Sequence, residues 1–447
     1  MTSNWQTYTL GDVCEKITDG AHQSPKSVDD GKPMASVKDL SYFGVDLSGA
    51  RKISQEDFDS LVRQGCKPEI GDVLIAKDGN TALDTVCTVD KELDAVLLSS
   101  VAILRPNSEK VDSEFLKYYL SSPRTIDYLK SNFISGAAIP RVVLRDFRKA
   151  LITLPPVSLQ LRISNILRSI DKKILNNIES NQTLEEMAQA LFKSWFVDFD
   201  PVKAKMSSEQ PVGMGQETAE LFPNRLVSSE LGMIPDGWDV GTIDSYTTLI
   251  IDHRGKTPKK LGSDWVESGY PAISAKNIKS KKIVREDTIR FINEATYRKW
   301  MKEPLVKGDI IMTSEAPMGE LYFYDGVSPF CLSQRLYGLR ANPQLTSPEF
   351  LYFWLQTVKA QSDMEGRASG TTALGIKQAE LRKVKVLSPP IWLVRKFSQF
   401  VGGLVELSAE NNRSNESLIN LRDTLLPKLL SGEIQLSETE SLTGAVV

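Results

Sequence analysis

Histidine is nearly missing from this chain: His22 and His253 are the only two in 447 residues. Cysteine is scarce as well. Cys14, Cys66, Cys87 and Cys331 include no pair at CxxC spacing. Protein zinc sites are built from clustered Cys and His, so no metal site is expected, and both histidines read as loop residues. Scattered thiols without a framework point to a reducing compartment. No apolar run is long enough to span a bilayer. The opening MTSNWQTYTL has neither the basic nor the apolar region of a secretory signal. A cytoplasmic protein is expected. Basic residues are not in excess either: 54 Lys and Arg face 57 Asp and Glu, for a formal net charge of -3. Any nucleic-acid binding must therefore come from local basic patches, not from the field of the whole molecule.

Enzyme signatures are equally thin. Gly255-Lys256-Thr257 ends like a phosphate-binding loop, but the glycine that should open it is Ile250. Gly213 and Gly215 form a lone GxG. Leu154-Pro155-Pro156-Val157 and Ser388-Pro389-Pro390-Ile391 share only their prolines with the NPPY tetrapeptide of amino-methyltransferases. The residue that would hydrogen-bond the amine and the aromatic that would stack on the base are both missing. These segments read better as helix starts.

What the chain does have is a long seam. From Ile163, alternating steps of four and three pass through Leu167, Ile170, Ile174, Asn177, Asn181, Leu184, Ala188, Leu191 and Trp195. That a/d pattern predicts a long helix over 159–196, with Ser158 as its N-cap. Adding 234 gives Phe397, Val401, Leu404, Ser408, Asn411, Asn415, Leu418, Arg422, Leu425 and Leu429. Two helices with matching seams and a matching Asn pair are most simply each other's partner. A buried Asn costs stability but fixes register, so Asn177, Asn181, Asn411 and Asn415 are the expected pairing residues. The seam matches in either direction, so the sense of the pair stays open.

The repeat extends beyond the helices, which sets the reading of the whole fold. Leu154-Pro155-Pro156 matches Ser388-Pro389-Pro390, Phe147-Arg148-Lys149 matches Leu381-Arg382-Lys383, and Leu98-Ser99 matches Leu332-Ser333, all at 234. Gly71-Asp72-Val73-Leu74 resembles Gly308-Asp309-Ile310-Ile311, GKPMASVKDL from Gly31 resembles GYPAISAKNI from Gly269, and Trp5 resembles Trp238. Apolar runs from Asp72 and Val101 read as strands, and those from Ser113 and Pro348 as helices. The expected organisation is a first module over 1–155, a long helix over 156–198 and an irregular tether over 199–235. A second module over 236–388, a second long helix over 389–435 and a frayed tail over 436–447 complete it. The class is α+β, with two duplicated α/β modules related by a pseudo-two-fold. A shared frame with divergent stretches between suggests two related binding tasks on different targets.

Candidate contacts with nucleic acid follow from residue type and place. SGAAIPRVVLRDFRK (135–149) matches SGTTALGIKQAELRK (369–383). A small-residue turn before a basic helix start offers backbone N–H groups and a cation to phosphate oxygens. Arg141, Thr371, Thr372 and Lys377 belong to these turns. Lys77, Asn80, Lys276, Asn277, Ser314 and Glu315 lie at strand ends or in the loops that follow. Lys, Asn and Glu are among the types that read base edges.

The two-fold repeat, LFKSWFVDFDPVKAK from Leu191, SELGMIPDGW from Ser229 and LLPKLLSGEI from Leu425 carry a resemblance over nearly the full length. The chain resembles the specificity subunit of type I restriction–modification enzymes. The resemblance implies that each module is a target-recognition domain reading one half of a split site in double-stranded DNA. It implies that the helices form an antiparallel coiled-coil rod that sets the spacing and docks two modification (methyltransferase) subunits. It implies a non-catalytic subunit of a prokaryotic cytoplasmic complex, with catalysis in the modification and restriction/translocase partners. S-adenosylmethionine and ATP with Mg would bind those partners, and this chain needs no cofactor of its own. A methyltransferase with a degenerate motif, or a coiled-coil scaffold that does not touch DNA, are the alternatives. S-adenosylmethionine binding and a salt-dependent gel shift discriminate them.

Overall fold

The structure is a computed structural model. It describes residues 5–79, 81–136, 140–253, 255–370 and 374–434. The chain divides into two compact units, Met1–Glu179 with Asn411–Val447, and Ser180–Glu410.

In the first unit a four-stranded antiparallel sheet runs in the order Cys14–Asp19, Val101–Pro106, Val73–Ala76, Val86–Thr88. A three-stranded sheet orders Arg51–Ile53, Lys32–Ala35 and Val96–Leu97, the last pair parallel. Val73–Ala76 is buried along its whole length. Its alternate residues serve two cores, as a two-residue side-chain period requires. Val73 and Ile75 face a core shared with Phe115, Leu116 and the long helices, while Leu74 joins Ile103 and Leu97 on the other side.

The second unit repeats this plan. Thr247–Asp252, Leu336–Ala341, Ile310–Thr313 and Leu321–Phe323 form the four-stranded sheet. Arg290–Ile292, Tyr270–Ile273 and Cys331–Leu332 form the three-stranded one. The repeated motifs now have physical reasons. Gly31 and Gly269 enter the three-stranded sheets where an added Cβ would stand 2.2 Å from the Ile53 carbonyl oxygen and 2.5 Å from that of Ile292. In SVKD and SAKN, Asp39 and Asn277 accept from the backbone N–H and hydroxyl of Ser36 and Ser274 and close a one-turn 3₁₀ helix. In the Gly-Asp motif, buried Asp72 and Asp309 accept two hydrogen bonds each from Arg105 and Arg340, at 2.8–3.0 Å, clamping neighbouring strands. One match needs correction. Ala35 pairs with Leu97 and Ile273 with Leu332, so the frame there is Leu97 with Leu332, one residue off the Leu98–Leu332 alignment.

The long helices span Val157–Phe196 and Ile391–Ser431. Each starts just after its proline pair. The Pro156 carbonyl accepts from Leu159 and Gln160, and that of Pro390 from Leu393 and Val394. Ser158 therefore lies inside the first turn and is not the N-cap. Within the first unit the helices run antiparallel: Asp171 meets Arg422 and Asn177 meets Asn415, one number rising as the other falls. Ile163, Leu167, Ile170 and Ile174 share their core with Leu418, Leu425 and Leu429.

The two units hold their helix segments differently. In the first, Asp171 accepts from Tyr118 at 2.7 Å and from Arg422 at 3.0 Å, with Lys117 at 3.5 Å. The Tyr42 ring lies 4.1 Å from the Lys117 ammonium and 4.5 Å from the Arg422 guanidinium. In the second, Phe192, Trp195 and Phe196 pack with Phe350, Phe353 and Phe397 in a cluster of rings 4.9–6.2 Å apart. The tether is also more ordered than expected. It forms helices Asp200–Met206 and Gln216–Glu220 and a hairpin of Leu226–Ser229 with Gly232–Pro235. Elements this short show no sequence period, and burial of Phe199, Val202, Phe222 and Ile234 beside Trp238 organises them. The expected tail lies outside the described residues.

Candidate nucleic-acid interface

Each unit brings together the two stretches singled out in its sequence. After Val73–Ala76, the backbone N–H of Lys77 donates to Ser100 and its carbonyl accepts from Val142. Ser314, its counterpart, donates to Arg335 and accepts from Ile376. Asp78 bridges Arg141, and Glu315 bridges Gly375. The loop leaving the central strand and the small-residue turn thus lie side by side, and in both units the same backbone bonds hold them.

Those bonds give several candidate residues internal work. Lys77 is buried, with its ammonium 3.0 Å from Asp19 and 3.6 Å from Asp78. Ser314 is buried in the bonds just described. The Asn277 side-chain amide donates to Val284, Arg285 and Thr288 while its oxygen closes the Ser274 turn, so its hydrogen-bonding capacity is used at home. All three are buried, Lys77 beside two carboxylates and Asn277 in its own turn. Glu315 is half-exposed and paired with Arg335 at 3.0 Å. Arg141, Lys276 and Lys377 are exposed. Asn80, Thr371 and Thr372 lie outside the described residues.

The basic helix starts are weaker anion sites than expected. Leu144–Phe147 and Gln378–Leu381 are single turns, too short to build a useful dipole. Each carries a carboxylate. Lys149 holds the Asp146 carboxyl below its usual range, and Lys383 does the same for Glu380. Arg141 and Lys377 are also not counterparts: Gly375 stands in the frame of Arg141 and Val143 in that of Lys377.

Sequence reasoning passed over a second group. In the second unit a cavity of about 500 Å³ opens beside Lys276, lined among others by Lys256, Lys259, Trp265, Arg290 and Trp300. The signal was present in the basic run Lys256-Thr257-Pro258-Lys259-Lys260, weighed only as a remnant phosphate loop. His253, expected in a loop, is buried, and burial together with Lys256 lowers its pKa. His22, by contrast, is exposed and 3.1 Å from Asp19. All four cysteines are buried and free, and burial pushes the Cys14 and Cys87 thiols up to about 12. Among the described residues no cluster of three His, Cys, Asp or Glu could hold a metal, and no helix is long and apolar enough to cross a membrane.

Two α/β units of one topology, each joined to a segment of both long helices, define a duplicated class of protein. The family described as the type I restriction modification DNA specificity domain matches residues 2–186 and 235–394. This chain belongs to that family and acts in DNA target recognition as a type I specificity subunit. It is 26% identical over 480 residues to the type I restriction enzyme HindI specificity subunit of Haemophilus influenzae, covering 97% of this chain and 100% of that one. It is 26% identical over 330 residues to the MjaIX specificity subunit of Methanocaldococcus jannaschii, covering 73% and 70%. The crystal structure of a type I restriction–modification S subunit from M. genitalium shares the fold, with TM-score 0.54 at 16% identity over 95% of this chain and 96% of that one.

Proposed function

We propose that each unit reads one half of a bipartite site in double-stranded DNA, within the domain boundaries read from the sequence. The long helices set the spacing between half-sites and dock two modification subunits. The observation that supports this best is the duplication: sheets, turn-closing side chains and Asp–Arg clamps repeat, while the residues between them differ. A common frame carrying different surfaces suits two readings of one kind. Arg141, Lys276, Lys377 and Glu315 are the described candidates for direct contact. Asn80, Thr371 and Thr372 are retained from their place in the loops. Lys77, Asn277 and Ser314 support those loops from beneath. The chain is non-catalytic and needs no cofactor of its own. Methylation and cleavage, with S-adenosylmethionine and ATP/Mg, fall to the modification and restriction/translocase subunits of a cytoplasmic complex.

Binding-site selection with the reconstituted complex tests this directly. Exchanging residues 1–155 for the first module of another family member should change one half-site and leave the other. A change in both would overturn the division of labour. Binding of S-adenosylmethionine by the isolated chain would overturn the non-catalytic assignment.

A further inference from the structure

The cavity beside Lys276 has a chemistry that no scaffold role accounts for. Its walls come from the 256–265 loop, the three-stranded sheet and the 333–335 turn, all within the second unit. Five of its lining residues are cationic and one, Asp264, is acidic. Among the described residues, Lys259, Lys276 and Arg290 have no carboxylate partner. Uncompensated cations in one concavity favour an anion. The Arg290 guanidinium lies 4.0 Å from the centre of the half-buried Trp265 ring. That pair presents a flat, polarisable surface of the kind that nucleobases stack on.

Deeper in, Trp300 is fully buried and lines the cavity, yet its indole N–H has no hydrogen-bond partner. An indole nitrogen can only donate, so the site lacks an acceptor. Beside it, Lys256 donates to the Trp300 carbonyl at 3.0 Å and reaches His253 Nδ1 at 3.2 Å. His253 itself does not line the cavity. Buried donors are nearly always satisfied in a complete structure.

An occupant that is anionic at the rim, flat in the middle and offers an acceptor to the Trp300 N–H is a nucleotide. We propose that this cavity takes one nucleotide of the bound DNA, with its phosphate at Lys259 and Lys276, its base against Trp265 and an acceptor toward Trp300. This rests on the DNA-recognition reading and makes Trp265 and Arg290 specificity-determining residues of the second half-site. A concave site suits a nucleotide turned out of the stack better than a base edge inside a groove. The same chemistry fits a free mononucleotide, so the test has two arms.

In the first arm, 2-aminopurine is placed in turn at each position of the selected second half-site, and its fluorescence is followed on binding the reconstituted complex. One position should brighten or quench distinctly from its neighbours, and Trp265→Ala should abolish that signature. Trp265→Ala should also weaken specific binding about tenfold, as loss of one stacked base does, and relax selection in the second half-site alone. Lys276→Gln, an exposed change, should weaken binding and lower the salt slope without relaxing selection. In the second arm the full chain is titrated with AMP by calorimetry. Tight AMP binding with DNA selection unchanged in Trp265→Ala would overturn the DNA assignment in favour of a free nucleotide. Wild-type selection by both variants with no distinctive position would overturn the site altogether. If the wild-type complex selects no bipartite DNA, the broader reading fails, and this inference with it.

Discussion

Asn177 of the first long helix donates from Nδ2 to Oδ1 of Asn415 on the second, at 2.8 Å, and both residues are buried. Asn415 returns a long bond of 3.5 Å to the Ile174 carbonyl. The pair is a polar lock in an apolar seam. It closes only when the helices are antiparallel and in one register. Asn181 and Asn411, the other expected pairing residues, belong to different units.

Replacing Asn177 alone with Leu should cost about 1–3 kcal/mol, because it leaves the buried Asn415 amide short of a partner. The double replacement Asn177→Leu with Asn415→Leu should recover most of that loss while loosening register. A double-mutant cycle in urea unfolding measures the coupling, and additive losses would mean the amides act separately.

Asp171 should be the most sensitive single position of the first unit. It faces Lys117 and Arg422 among groups that are themselves largely buried. Asp171→Asn strands two cations in a low dielectric and should lower stability by about 3–5 kcal/mol. Limited proteolysis in rising urea should report early opening of the first unit, with the aromatic cluster of the second unit intact.

Arg141 and Lys377 are exposed cations at the two turns. As phosphate contacts, each changed to Ala should weaken binding to all DNA sequences alike. Each should reduce the magnitude of the slope of log K against log salt by about one. An unchanged slope with an altered base preference would move them from positioning to reading.

The second unit should lose stability in mild acid through His253. Burial, reinforced by Lys256, holds its folded-state pKa below the ordinary 6.5. The unfolded chain then binds the proton more readily, so stability is complete above about pH 6.5 and falls as pH drops from there through the lower folded value. His253→Gln, which keeps an acceptor for Lys256, should flatten that part of a thermal-unfolding profile against pH.

Much of the architecture was legible in the residues themselves. Periodicity is local, so the heptad seam announced both long helices and the repeat announced two like units. Gly31, Gly269, Asp72 and Asp309 recur because a close backbone approach and a buried Asp–Arg clamp leave few substitutes. What only the tertiary structure decided depends on which groups meet across long sequence separations. Seam matching is symmetric under reversal, so helix direction needed Asp171 against Arg422 and Asn177 against Asn415. Exposure of a loop cation depends on what folds over it: Lys77 went to Asp19, and Asn277 went to its own turn, while Arg141 stayed outside. The Trp265–Arg290 surface and the unpartnered Trp300 N–H carry no sequence spacing at all. They exist because residues from the 256–265 loop, the strand at 290 and the helix end at 300 converge on one concavity, and convergence is a property of the fold.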